Sequence, residues 1–210
     1  KNSIDKLSNE GSVSGYKVAG GIIGLGNNIY NDSSTGEISS SIGEISINNT
    51  YNNGLIQGNI SAGGIIGELD ETKTFNKITN SYNTGNISSQ GFIVGIVGFA
   101  KDTNIDNVYN TGEISQISST MEKYLGGNIG GLVGELRNSS QKKTVISNSY
   151  NNGNISSTKV ENAGYGSCAG GLVGEGLNFS IKESHNIGNV SNDFGIASGL
   201  IGQTFYSDYT

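Results

Sequence analysis

Ile146-Ser147-Asn148-Ser149-Tyr150-Asn151-Asn152-Gly153-Asn154-Ile155-Ser156 is followed, after residues 157–169, by Gly170-Gly171-Leu172-Val173-Gly174, and both pieces recur. The first returns at residues 78–88, 105–115 and 181–191, the second at 20–24, 63–67 and 130–134. A unit of roughly thirty to forty residues repeated in order defines a stacked architecture, in which each copy adds rise along an axis instead of volume to one core. Tyr51, Tyr82, Tyr109, Tyr150 and His185 share one repeat position, followed by Asn52, Asn83, Asn110, Asn151 and Asn186. Two residues on stand Gly54, Gly85, Gly112, Gly153 and Gly188.

Each block reads as a short β run, an Asn-x-Gly turn, and a second β run of the form x-Ile-Ser. The glycine element, centred on Gly21, Gly64, Gly95, Gly131, Gly171 and Gly199, adds a third run carrying two apolar residues. No segment shows helical apolar spacing. The expected fold is therefore all-β: a right-handed parallel β-helix with about three short strands per coil and about six coils, forming one domain over residues 1–210.

Stacking at about 4.8 Å turns repeat positions into columns. The isoleucines Ile87, Ile114 and Ile155 suit the interior, and the asparagines suit an amide ladder along the axis, with the Tyr/His column stacked beside them. The glycines are expected to supply positive φ at sharp turns. Pairs such as Leu172-Val173 pose a conflict, because neighbours on a strand point to opposite faces. A bend turns both inward, a loop covers the outer one, or an exposed stripe docks a partner. Residues 7–24 read as a partial first unit, and residues 25–46 as a repeat stretched by insertion, with Tyr30, Gly36, Ile38 and Ser39 as its traces. The longest insertions, residues 116–129 with Tyr124 and residues 157–169 with Tyr165, emerge on a flank where repeat proteins often bind, so Tyr124 and Tyr165 are candidate contacts for a glycan or protein ligand.

Composition agrees with a ladder-built chain. Of 210 residues 34 are Gly and none is Pro, as a continuous hydrogen-bond ladder requires. Mean hydropathy is −0.28, so the few apolar residues must be placed repetitively. The net charge of −6 disfavours a nucleic-acid surface. One cysteine excludes an internal disulfide and a thiolate zinc site, and no run of about eighteen apolar residues marks a membrane span. No cofactor motif is present. The chain starts at Lys1 and not at Met, and is read as a piece of a longer protein whose signal and anchor lie outside it. Open coil ends then call for further coils or caps, with Phe205, Tyr206 and Tyr209 as candidates to cover one end.

Gly-Gly-Leu-Val-Gly at 130–134 and 170–174, with Asn-Ser-Tyr-Asn-x-Gly-x-Ile at 80–87 and 148–155, resembles the GLUG repeat over nearly the whole chain. Those repeats occur in secreted or surface-attached bacterial proteins, including some immunoglobulin A peptidases and adhesin-like proteins. The resemblance implies a non-catalytic β-solenoid region serving as stalk or adhesive surface beside flanking domains. His185 and Val94 depart from the pattern, and no His-Glu-x-x-His is present.

Chemistry has few candidates. His185 sits in the tyrosine column without a second histidine, and Cys168 reads as a small buried thiol. Glu135 and Glu175 follow the glycine element in successive coils. Stacking brings such carboxylates to about 5 Å, the separation used by retaining glycosidases. Two glutamates splayed into solvent explain the pattern, with a weak cation site or a catalytic pair as the alternatives. Eight Asn-x-Ser/Thr triplets begin at Asn31, Asn48, Asn59, Asn86, Asn138, Asn154, Asn178 and Asn189, and repetition of the strand accounts for several of them. Thr84 and Thr111 share a column with Asn53, Asn152 and Ile187, which lacks the regularity of an ice-binding face.

Overall fold

The structure is a computed structural model that describes residues 2–26, 44–69, 75–117, 127–138, 143–158, 167–193 and 195–205. Every described strand pair is parallel, and strands of the same repeat position line up as four sheets that run the length of the axis. Six coils result, at residues 2–26, 45–69, 76–101, 103–137, 144–177 and 179–205. The fold is the expected parallel β-solenoid. Its three recurring segments all form strand, and the glycine element bends at its second glycine and the apolar residue after it, as at Gly171-Leu172, so that it contributes to two faces.

Coil 5 shows how the opening stretch folds. Thr144–Ser147 and Tyr150–Asn151 form the first face, Ile155–Ser157 the second, Cys168–Gly170 the third and Val173–Leu177 the fourth. Asn148 breaks the first face with φ 50°, and the same position in the other coils holds Lys6, Asn49, Asn80, Asn107 and Glu183 with φ between 47° and 56°. Most of the left-handed residues belong to this column, where Asn suits the conformation, and Asp102 and Asn178, each linking a fourth face to the next coil, are the others described. Among the described glycines none adopts positive φ. Their expected role is corrected: at most of these positions a Cβ would run into a carbonyl, either of the adjacent coil or of the residue three on in the same coil, whereas Gly11, Gly24 and Gly199 have room. A Cβ on Gly112 would lie 2.0 Å from the carbonyl oxygen of Gly85 one coil away.

Next to the kink a hydroxyl substitutes for the lost ladder bond. Ser149 Oγ donates to Ser147 O at 2.5 Å and accepts from Val108 N of the preceding coil at 3.2 Å. Thr50, Ser81 and Ser184 repeat the local bond in their coils. The Asn-Ser-Tyr triplet is thus a kink, a bridge and a stack.

Two apolar clusters fill the interior. One lies between the first and fourth faces, built on Ile47, Ile78, Ile105 and Ile146 against Ile66, Val97, Val133 and Val173. The other joins Ile56, Ile87, Ile114 and Ile155 of the second face to Ala62, Ile93, Ile129 and Ala169 of the third. The adjacent apolar pairs are resolved by the bend. Leu172 and Val173 are both fully buried, as are Ile65-Ile66, Ile96-Val97 and Leu132-Val133. Successive N–H groups converge on one carbonyl there: Leu132 N and Val133 N donate to Leu172 O at 2.9 and 3.0 Å. No exposed apolar stripe forms in these coils.

Two sequence expectations about the early chain are corrected. Residues 2–26 carry strands of all four faces, so the first unit is a full coil. Asn2–Asp5 pairs directly with Ile45–Asn48, and Ile23–Gly26 with Ile66–Leu69. The first and second coils are thus immediate neighbours, and no stretched repeat intervenes: Leu25 and Gly26 finish one coil and Ile45 starts the next. Tyr30, Gly36, Ile38 and Ser39 lie outside the described residues.

Candidate functional site

The repeated columns were the first candidates, and the scaffold uses their chemistry. Asn9, Asn52, Asn83, Asn110 and Asn151 each donate an amide hydrogen to the next asparagine's Oδ1, ending at Asn186, at 2.6–2.8 Å. The second hydrogen of each amide goes to the carbonyl two residues on, at 2.6–2.9 Å, including Asn186 to Gly188. Asn52, Asn83, Asn110 and Asn151 are fully buried between the two apolar clusters. A buried amide ladder of this kind is stable because every donor finds a partner.

The aromatic column faces outward. Tyr51, Tyr82, Tyr109, Tyr150 and His185 stack with ring centroids 4.8–5.3 Å apart and planes within 7°. Each inner ring, Tyr82, Tyr109 and Tyr150, presents its faces to its neighbours, so these three offer only edges and hydroxyls for contact. Burial, then the neighbouring Tyr82 and Tyr150, push the Tyr109 phenol above its ordinary value. His185 completes the stack, as expected of an aromatic substitute.

Glu135 and Glu175 do come together. Phe99, Glu135, Glu175 and Gln203 stand in register on the fourth face. Residues entering the third face from the long insertions close over this column. Asn128 Nδ2 donates to Glu175 Oε2 at 2.9 Å, Asn128 Oδ1 accepts from Cys168 N at 3.3 Å, and Cys168 Sγ donates to Gln203 Oε1 at 3.0 Å. Arg137 folds back along its own strand, bonds Glu135 through Nε, and brings Nη2 to 3.7 Å from Glu175 Oε1. The side chains of Glu135 and Glu175 are 8% and 15% exposed, against 54% for Arg137, so one half-exposed guanidinium serves two nearly enclosed carboxylates.

Electrostatics separates the partners. Burial and the nearby Glu135 raise the Glu175 carboxyl, while the Asn128 donor and Arg137 act against that rise. The hydrogen bond that Arg137 donates to Glu135 holds its guanidinium above its ordinary value. Burial and Glu175 raise the Cys168 thiol, which suits the inert role expected of it. Beside the cluster, Leu136, Arg137, Glu175, Gly176, Leu177 and Phe205 line a shallow groove of about 240 Å³.

Because Glu175 binds its proton more tightly folded than unfolded, its contribution to stability is fully present at low pH. It falls as pH rises from the unfolded value, near 4.5, through the higher folded value. Glu175→Gln keeps an acceptor for Asn128 and removes the titration. The expected result is a flatter dependence of the denaturation midpoint on pH above that value, with the variant at least as stable as the parent at about pH 7. An unchanged slope in the variant would assign the dependence to another group.

Of the remaining candidates, Tyr124 and Tyr165 lie outside the described residues, as do Asn31, Tyr206 and Tyr209. Phe205 lies on the last fourth-face strand opposite Leu177 and is 49% exposed. In the repeated Asn-Ile-Ser strand, Asn86 Oδ1 accepts from Glu113 N and Asn154 Oδ1 from Asn189 N, so these asparagines bridge coils. Among the described residues no group of three or more His, Cys, Asp or Glu could hold a metal ion, and no helix is long and apolar enough to cross a membrane. Sequence reasoning missed Arg137 and Asn128 as members of the cluster. Arg137 carried a signal, since Glu135 and Arg137 alternate on one strand and so share a face.

An all-β parallel solenoid carrying one enclosed carboxylate–guanidinium cluster is what the chain presents. A crystal structure from Bacteroides ovatus, described as a "putative immunoglobulin A1 protease", has a similar fold, with a TM-score of 0.57 and 20% identity over 97% of this chain and 67% of that one. At that identity the likeness is one of fold. The chain matches no protein-family model and no curated protein.

Proposed function

We propose that this chain is a non-catalytic, GLUG-type β-solenoid segment of a bacterial secreted or cell-surface protein. It acts as a stalk that holds flanking domains apart and carries ligand-contacting insertions on its corners. The observation that supports this reading is the use of the repeated polar and aromatic residues by the scaffold. The tyrosine faces stack on each other, the amide hydrogens stay within the ladder, and Arg137 bridges the carboxylates of two coils. Six coils at about 4.8 Å give an axis of roughly 30 Å, a length suited to spacing. A host glycan or protein is the partner class, with Tyr124 and Tyr165 on the insertions as its contacts. Tyr124→Ala with Tyr165→Ala is expected to abolish binding to immobilised host glycoproteins and leave the fold unchanged by circular dichroism. Retention of binding in the double variant would remove the insertions as the contact surface.

The competing reading is a polysaccharide-active enzyme. One observation favours it: two in-register carboxylates in different environments, one raised, beside a groove. The stalk reading expects no turnover across a panel of soluble and insoluble glycans. Turnover that is lost in Glu135→Gln and in Glu175→Gln, with stability retained, would overturn it.

A further inference from the structure

We propose that the tyrosine column is a site of oxidative modification, at which hydrogen peroxide, used by a haem peroxidase, joins neighbouring rings of Tyr51, Tyr82, Tyr109 and Tyr150 by dityrosine bonds that staple adjacent coils. The inference rests on the column itself and is independent of what the stalk binds.

Proximity is the first ground. The three consecutive tyrosine pairs have ring centroids 4.8–5.0 Å apart and planes within 2°. Tyr51 pairs in register with Tyr82, Tyr82 with Tyr109 and Tyr109 with Tyr150, so the backbone holds each ring opposite the next. A tyrosine ring turns about χ2 in a broad, two-fold well. A quarter turn of two neighbours exchanges face-to-face for edge-to-edge contact and aims an ortho carbon of each at the other. Because the scaffold has already brought both rings together, their coupling is an intramolecular step and not an encounter between molecules.

The reacting atoms are also open. All four side chains are half-buried on the outer side of the first face. Stacking closes the ring faces and leaves the edges, where the ortho carbons and the phenol oxygen lie. Burial, then Tyr82 and Tyr150, raise the Tyr109 phenol, so it keeps its proton at neutral pH and gives up proton and electron together as a hydrogen atom.

Competing targets are scarce. Among side chains that oxidise readily the chain has no Trp, one Met and one Cys, against ten Tyr. Cys168 is 4% exposed, and its thiol is raised, which keeps it from the reactive thiolate form. A radical formed on an inner ring touches an aromatic ring on each side. Exchange of a hydrogen atom between like phenols is nearly thermoneutral, so two oxidising events at different points of the column meet on adjacent rings.

The step balances. Hydrogen peroxide takes one hydrogen atom from each of two phenols and becomes two waters. The two phenoxyl radicals pair their odd electrons in a carbon–carbon bond between ortho positions. The hydrogen on each ortho carbon then moves to the oxygen of its own ring, which restores two phenols. The new bond runs along the axis, parallel to the amide ladder, and ties positions far apart in sequence.

Treatment of the 210-residue chain at high dilution with a haem peroxidase and hydrogen peroxide tests this. The expected result is dityrosine fluorescence in the monomer band of a denaturing gel, loss of two hydrogen atoms per bond by intact mass, and crosslinked peptides that join neighbours of the column. The oxidised chain should also unfold at higher denaturant concentration than the untreated one. Tyr82→Phe with Tyr150→Phe keeps a stack of rings but leaves neither Tyr51 nor Tyr109 with a phenol beside it. This variant is expected to lower monomer fluorescence by about tenfold or more, although it removes only two of the ten tyrosines. Tyr16→Phe removes a phenol of coil 1 that is 71% exposed and outside the column, and should leave the yield unchanged. Circular dichroism checks that each variant keeps its fold. Absence of monomer fluorescence overturns the proposal, as does fluorescence confined to dimer bands, an equal yield in the double variant, crosslinks mapped outside the column, or an unshifted denaturation midpoint in the crosslinked chain.

Discussion

Asn110→Ala is expected to destabilise the solenoid by about 4 kcal/mol, far more than its modest change in size suggests. The side chain accepts from Asn83 and donates to both Asn151 and Gly112 O, at 2.7, 2.7 and 2.9 Å, and it is fully buried. Its removal strands an Asn83 N–H, the Asn151 Oδ1 and the Gly112 carbonyl together. Each buried orphan costs about 1–3 kcal/mol, and Asn83, Asn110 and Asn151 are fully buried. Thr111→Ala, one residue away and exposed, should change stability by less than about 0.5 kcal/mol. Chemical denaturation followed by circular dichroism separates the two, with hydrogen exchange showing whether loss of protection starts at the Asn83–Asn151 step. Equal effects from both substitutions would deny the ladder its structural weight.

Gly131→Ala should cost about 3 kcal/mol or more, and Gly199→Ala almost nothing, although both residues fill the same position of the same motif. A Cβ on Gly131 would lie 2.0 Å from Gly171 O and 2.6 Å from the Asn151 side chain. Neither can withdraw without opening the stack between coils 4 and 5. At Gly199, in the last described coil, a Cβ meets nothing within 4 Å among the described residues. There the alanine only reduces the freedom of the unfolded chain, which stabilises by about 0.5 kcal/mol where the backbone angles permit it. A comparable loss at both sites would mean that the glycine is demanded by its own backbone angles and not by the neighbouring coil.

That contrast also shows what the sequence could express. Period and alternation made the coils, the amide ladder and the aromatic stack legible, since each rests on one residue type recurring at one position. Effects that depend on the approach of two coils were not legible. Glycine at a turn reads most simply as a request for positive φ, yet here the asparagines before Ser81, Val108 and Ser149 carry that conformation. Leu172 and Val173 look contradictory on a straight strand and become compatible only once their N–H groups turn onto a shared carbonyl. Residues 25–46 kept enough tyrosine, glycine and isoleucine to imitate a unit, and pairing of Asp5 with Asn48 was needed to show that none stands there. In the candidate cluster, spacing placed Glu135 over Glu175. It did not reveal Arg137 as their common counterion, nor Asn128 arriving from the preceding face, because the first requires a side-chain fold-back and the second the path of an insertion.

The connections between strands differ greatly in length at two corners only. Between the fourth face and the next coil the link is residue 102 alone in one place and residues 27–44 in another. Between the second and third faces it is residues 59–60 in coil 2 and 117–128 in coil 4. Since the bonds that define register run along the axis, a corner can lengthen without disturbing any column. The molecule thus has two longitudinal seams at which heredity can add or remove material freely, on a body whose columns cannot drift. Variation in what such a chain touches is cheap there and costly everywhere else.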